Sequence, residues 1–405
     1  MLRAPIGRRL VNQPPIVTPA FVRLWVAHFL QALGFSSMLL LPLYLDHLGA
    51  SRAEIGAAMA AASVGGLAAR PAVGWALDVL GRKPVLIVGT LVLFAGMASV
   101  GLIDRMGPMV FAMRILVGLG TGTLFTGYFT LAADLVPASR RTEGIALFGI
   151  SGLAPLMVNP LRDVLALPPE DLRWFLPLVG LGILASLLFL PGVPEGARST
   201  DEAREPFQWS AAWEALTRRR LLPVWSATVV FAAMVAVFMS FVTVAAEARN
   251  VPAPAAVWAA YSGGAVTVRL IGAALPERLG PFRVGAVSLL LYSLGIAMAG
   301  GATTVGGFLF AGLLGGIGHG YCFPVLTGQV VTRAPLALRG VAMAAFTGLW
   351  EIARLACAPG FGALADALGD GAMLQVAGGC GVAGVGVWFM LERAFAGPAE
   401  PTGAA

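Results

Sequence analysis

The sequence predicts an all-α membrane protein, with twelve transmembrane helices in two parallel six-helix repeats. Three observations carry that expectation. The chain has 405 residues, 58% of them hydrophobic and 12% charged, and a mean hydropathy of +0.83. A soluble domain carries about 25% charge, so most of this surface must face lipid. Apolar stretches of spanning length recur along the chain, and a charged loop after the second of them returns in worn form half a chain later.

A spanning helix needs about 17–25 mostly apolar residues. Six such stretches lie near 21–45, 55–77, 84–103, 108–135, 144–165 and 174–192, and six more near 221–246, 254–275, 284–303, 305–332, 340–365 and 372–392. They divide the chain into a tail 1–20, a first bundle 21–193, a linker 194–220, a second bundle 221–393 and a tail 394–405. The first twenty residues hold Arg3, Arg8, Arg9 and four prolines, with no apolar core running into a small-residue cleavage site. They are expected to be a cytosolic tail and not a cleaved signal peptide. In the linker, Trp209, Trp213 and Leu216 share one helical face, which fits either a helix at the membrane interface or a solvated connection. With both termini inside, seventeen Lys and Arg residues fall on the inner side and five in outer loops. That bias orients the chain in an inner (plasma) membrane, with both termini cytosolic.

The pI near 9.8 does not indicate nucleic acid, because the arginines are dispersed among apolar segments with no basic stripe. Cys322, Cys357 and Cys380 lie inside apolar runs without CxxC spacing and are expected to be small buried hydrophobes, not metal ligands.

The repeat keeps register over long stretches. Arg269, Glu277 and Gly280 each lie 199 positions after Arg70, Asp78 and Gly81. Gly118-Leu-Gly-Thr-Gly122 matches Gly316-Ile-Gly-His-Gly320, and Pro137 to Arg141 matches Pro335 to Arg339, both at an offset of 198. An even number of spans per half gives the halves one orientation, so they are parallel repeats about an axis along the membrane normal.

The loop Gly74-x-x-x-Asp78-x-x-Gly81-Arg82-Lys83 resembles the signature between the second and third helices of the major facilitator superfamily. The resemblance covers nearly the whole chain and implies two six-helix bundles, a central cavity and alternating access. It also implies that Asp78 caps the facing eleventh helix, which starts near Gly340, while Arg82 reaches an acid at the end of the fourth, where Asp134 sits. A carboxylate is favoured at a helix N-terminus by the unpaired N–H groups and the dipole. In the second copy Pro281 and Phe282 replace the basic pair, so no such latch is expected there. Arg114-x-x-x-Gly118 resembles the family's fourth-helix motif, whose arginine is thought to tune a protonatable partner. The fifth span, Gly144 to Pro160, resembles the glycine–proline motif of proton antiporters, with Ala154 and Val158-Asn159 standing where that motif has glycines.

Few polar groups lie deep in the spans. They are His28 and Gln31 in the first, Asn159 in the fifth, His319 in the tenth, and Glu351 with Arg354 in the eleventh. Gln329 falls near the inner end of the tenth and is set aside. Polar side chains are costly against lipid, so these are expected to line one cavity near the midplane, with Glu351 carrying a proton under the influence of Arg114 or Arg354. No Walker loop, HExxH or Gly-x-Ser-x-Gly is present, which argues against an ATP-driven pump and a membrane enzyme. The expected function is secondary transport by a monomer, without cofactor or metal, that exports small, partly apolar molecules against protons. Its partners are that substrate, protons and the bilayer. Proton-driven uptake of a small metabolite is the second reading, and a non-transporting sensor or scaffold on the same fold the third.

Overall fold

The computed structural model describes residues 14–137, 140–195, 209–335 and 338–395. The expected tails before 14 and after 395, and the linker from 196 to 208, lie outside them. The first half contains α1 (Pro19–His47), α2 (Arg52–Val79), α3 (Arg82–Leu102), α4 (Pro108–Leu135), α5 (Glu143–Val164) and α6 (Pro169–Phe189). A linker helix, Trp209–Thr217, leads to α7 (Leu222–Glu247), α8 (Val257–Ile271), α9 (Pro281–Gly301), α10 (Val305–Arg333), α11 (Arg339–Leu368) and α12 (Asp370–Phe395). Trp213 on the linker helix is exposed. The start of α1 and the end of α12 share one side of the bundle, called here the terminal face.

Local sequence sets the ends and breaks. Ser51 and Glu54 close a capping box at the start of α2. Gly81 and its repeat partner Gly280 both turn with positive φ, +95° and +91°, a conformation that a side chain would strain. Gly149, Gly152 and Pro155 divide α5 into short helical and 3-10 pieces, as a run of helix breakers should. Among the described residues, ten helices are long and apolar enough to cross a membrane on their own. The other two, α2 and α8, are repeat partners: α2 is diluted by alanine, glycine and Arg70, and α8 has only 15 residues before it breaks at Gly272.

The repeat register holds at atomic contacts. A Cβ at Gly118 of α4 would overlap the Ala62 carbonyl of α2, and one at Gly316 of α10 would overlap the Tyr261 carbonyl of α8. Gly120 lies against Leu93, and Gly318 against Tyr292; Gly122 lies against Gly66, and Gly320 against Ala265. Each pair of contacted residues is 199 positions apart. Without a hydrophobic drive between helices in lipid, close backbone approach of this kind supplies the packing.

Gly118→Val should therefore lower the thermal unfolding midpoint of the purified protein, since forced overpacking costs about 1–3 kcal/mol. Gly348→Ala, where no atom lies within 4 Å of the added methyl, should not. Equal melting of the Gly118→Val and wild-type proteins would contradict the packing assigned to α2 and α4.

Candidate functional site

The two halves are tied at the face opposite the termini. Asp366, near the end of α11, accepts from the backbone N–H groups of Arg52 and Ala53 at 2.7 and 2.8 Å, capping α2 across the half-to-half seam. Asp163, at the end of α5, accepts from the backbone of Ala255 at 2.9 Å, at the entry to α8. Arg52 adds an ion pair to Asp370 at 2.9 Å and another to Asp46, while Arg162 forks onto Glu247 of α7 at 2.9 and 3.0 Å. Gly56 and Gly362 let α2 and α11 touch through backbone.

Among the described residues, Arg82 and Lys83 of the charged loop bond within the first half. Arg82 lies 3.3 Å from Asp134, the pair expected from the motif, and 3.8 Å from Asp78, and it donates to the Leu77 carbonyl at 2.7 Å. Glu195, just after α6, accepts from the backbone N–H groups of Arg82 and Lys83 at 3.3 and 3.2 Å and so caps α3. The cap expected from Asp78 on α11 is not formed: the N-cap there is Leu338, and no side chain caps it. On α11, a methyl group added at Gly340 or Gly348 would meet no atom within 4 Å. In the second copy of the loop, Phe282 stacks edge-on against Trp388, with ring centroids 5.3 Å apart.

At mid-depth the halves meet through charge. Glu351 of α11 lies 3.4 Å from Arg70 of α2 and 3.7 Å from Arg354 one turn along its own helix. Its carboxylate sits over Gly66, where a Cβ would come within 3.5 Å of Oε1. Of Arg354 and Arg114, expected as alternatives to act on Glu351, Arg354 lies beside it and Arg114 turns to α2. Its guanidinium donates to the Ala58 and Met59 carbonyls of α2 at 3.2 and 3.1 Å, and Arg70 takes the place beside Glu351. Arg70 was already visible as the first residue of the charged segment and as the repeat partner of Arg269, but its contact lies 281 residues away.

The remaining polar groups divide between the halves. His28 is buried in the first half, with Nδ1 2.6 Å from Ser151 Oγ, and that hydroxyl donates to the Phe148 carbonyl at 2.5 Å. The Phe148 ring stacks on it at 4.9 Å. Gln31 is buried beside it on α1. Asn159 is buried too, donating to Leu156 at 3.0 Å with its Oδ1 unpartnered. His319 is half-buried in the second half, 2.6 Å from the Tyr261 hydroxyl and facing the Phe231 ring at 5.3 Å. Trp350 closes on Phe231 at 5.1 Å. Sequence reasoning set Gln329 aside, yet it is buried on α10 with both amide atoms unpartnered.

The comparisons agree with this architecture. The sequence profile of the Major Facilitator Superfamily matches residues 24–358. An uncharacterised MFS-type transporter of Salmonella typhimurium is 26% identical over 92% of this chain and 96% of its own length. The multidrug resistance protein MdtL of Shigella flexneri is 28% identical over 41% of this chain and 43% of its own length. The crystal structure of the nucleoside transporter NupG superposes with a TM-score of 0.75 at 14% identity, over 93% of this chain and 100% of that one. The chain belongs to the major facilitator superfamily and is a multi-pass membrane transporter.

Asp366→Ala should open the far face. It removes two hydrogen bonds to a charged group, each contributing about 1.5–3 kcal/mol. Amide hydrogen exchange in the first turn of α2 should accelerate by about tenfold or more, while exchange in α9 stays unchanged. Unchanged protection of Arg52 and Ala53 would show that Asp366 does not hold the seam.

Proposed function

We propose that this major facilitator superfamily chain is a proton-coupled exporter of small, partly apolar molecules that works by alternating access. The terminal face is cytosolic, the membrane is the plasma (inner) membrane, and one chain, holding both halves, is the working unit. The observation that carries the reading is Glu351, a carboxylate at mid-depth bridged to Arg70 of the opposite half. Ionisable groups inside a membrane are costly and mark ion pathways. A proton on Glu351 removes the charge that holds Arg70 across the seam, so protonation and the relation between the halves are linked. Arg354, one turn away, competes for the same carboxylate and keeps it from being unpaired when Arg70 leaves.

The other parts fit around that group. Asp78, Arg82 and Asp134, with Gly74, Gly81 and Lys83 shaping the loop, form the cytosolic gate that closes when the far face opens. His28, Gln31, Asn159 and His319 supply polarity at mid-depth. Export is supported by the glycine–proline character of α5 and by the multidrug relative, and the seventeen-to-five arginine and lysine bias supports the orientation.

The test uses proteoliposomes loaded with a pH-sensitive dye, under an imposed pH gradient, and a set of small amphipathic compounds of every charge type. A transported compound should move protons through the wild-type protein. Glu351→Gln should abolish gradient-driven movement while leaving compound exchange measurable. Gradient-driven transport by Glu351→Gln at the wild-type rate would sink the assignment.

A further inference from the structure

Mid-depth charge in this protein is lopsided. Arg70, Arg114, Arg269 and Arg354 lie within the spanning helices, and Glu351 is the carboxylate that pairs with two of them, Arg70 and Arg354. Two of the four share Glu351, and Arg114 rests on carbonyls. Arg269 differs. No carboxylate among the described residues pairs with it, and its Nε is buried without a hydrogen-bond partner. Its Nη1 lies against Gly149 of α5, at the α5–α8 seam, so close that a methyl group there would overlap it. It is within Coulombic reach of Tyr261 and His319; His319 faces the Phe231 ring, and Trp350 packs on that ring as well.

The repeat says what is missing from its surroundings. Arg70 and Arg269 are partners at an offset of 199. Arg70 meets Glu351, but the position 198 before Glu351 is Leu153. The second half thus supplies a carboxylate to the arginine of the first, while the first offers an apolar side chain at the matching position. A buried guanidinium without an anion is expensive, and its planar fork suits a carboxylate.

Resting on the transport reading above, we propose that the substrate is an organic anion. Its carboxylate is held by Arg269 in the place that Glu351 fills for Arg70, and its apolar or aromatic body lies toward His319, Phe231 and Trp350. Glu351 and the substrate carboxylate then play matching parts, one on each side of the pseudo-two-fold axis.

The experiment is calorimetric titration of the purified protein in nanodiscs of zwitterionic lipid with 2-naphthoate, its neutral amide and a naphthyl trimethylammonium cation. Naphthoate should bind, and the amide and the cation should bind at least about tenfold more weakly. Arg269→Gln should weaken naphthoate by about tenfold or more without discriminating against the amide, and Arg269→Lys should restore part of the loss. Tighter binding of the cation or amide would overturn the proposal, as would wild-type affinity in Arg269→Gln or no naphthoate binding at all. Repeating the titration with anionic lipid separates a lipid phosphate from a substrate: if anionic lipid alone abolishes naphthoate binding to the wild-type protein, Arg269 is a lipid site and the proposal falls. None of these outcomes bears on proton coupling, which the dye-loaded vesicles read through Glu351→Gln.

Discussion

A charge inside a bilayer must be answered, and that constraint shapes this molecule more than any other. Placing an arginine at the centre of a spanning helix costs about 2.5–3.5 kcal/mol on insertion scales, unless protein or water receives it. Four arginines, Arg70, Arg114, Arg269 and Arg354, lie away from the ends of these spans, and their environments differ. Arg70 crosses the seam to Glu351, and Arg354 reaches the same carboxylate along its own helix. Arg114 turns to carbonyls that its neighbour α2 exposes at Ala58 and Met59. Arg269 presses on the bare backbone of Gly149. The scaffold is two-fold, but the charges are not.

The symmetric scaffold was legible in the sequence because glycine spacing is a local signal with one physical meaning. A glycine on every second position of α4 and α10 lets two neighbours approach, one on each side, and the same three positions contact repeat-related residues in both halves. The helix count, the charged loop and the Arg82–Asp134 pair could be read for a similar reason: each lies within one half and close to its motif.

What the sequence did not disclose depends on pairing between segments far apart in the chain. Asp366, Asp163 and Glu195 look like ordinary polar residues near helix ends. Only the fold brings them to the starts of α2, α8 and α3, whose unpaired N–H groups they satisfy. Glu351 was visible as a carboxylate in an apolar run, yet its partner Arg70 had to be found 281 residues away. His28 shows the opposite limit. An imidazole in a span invites a functional reading, and here Ser151 and the Phe148 ring surround it within its own half.

The helices that look least like membrane spans are those that carry Arg70 and Arg269. Composition alone disfavours α2, through Arg70 and its many small residues, and the break at Gly272 shortens α8. Neither is shielded by its own side chains. Each is sheltered by close neighbours instead: α2 by α4 and α11 through Gly118, Gly56 and Gly362, and α8 by α10 through Gly316 and Gly320. Small residues that allow this shelter also leave smooth backbone surfaces, so α11 can slide or tilt against α2 with few side chains to repack. The seam is then held mainly by discrete polar bonds at its far end and by one ion pair at its middle. Such bonds are made or broken whole, which favours two positions of the halves over a continuum. A packed aliphatic seam would hold as firmly, but it would give a proton nothing to act on. In the proposed cycle, a proton on Glu351 would change the one charge that bridges to Arg70, at a seam where glycines bring α2 and α11 into backbone contact.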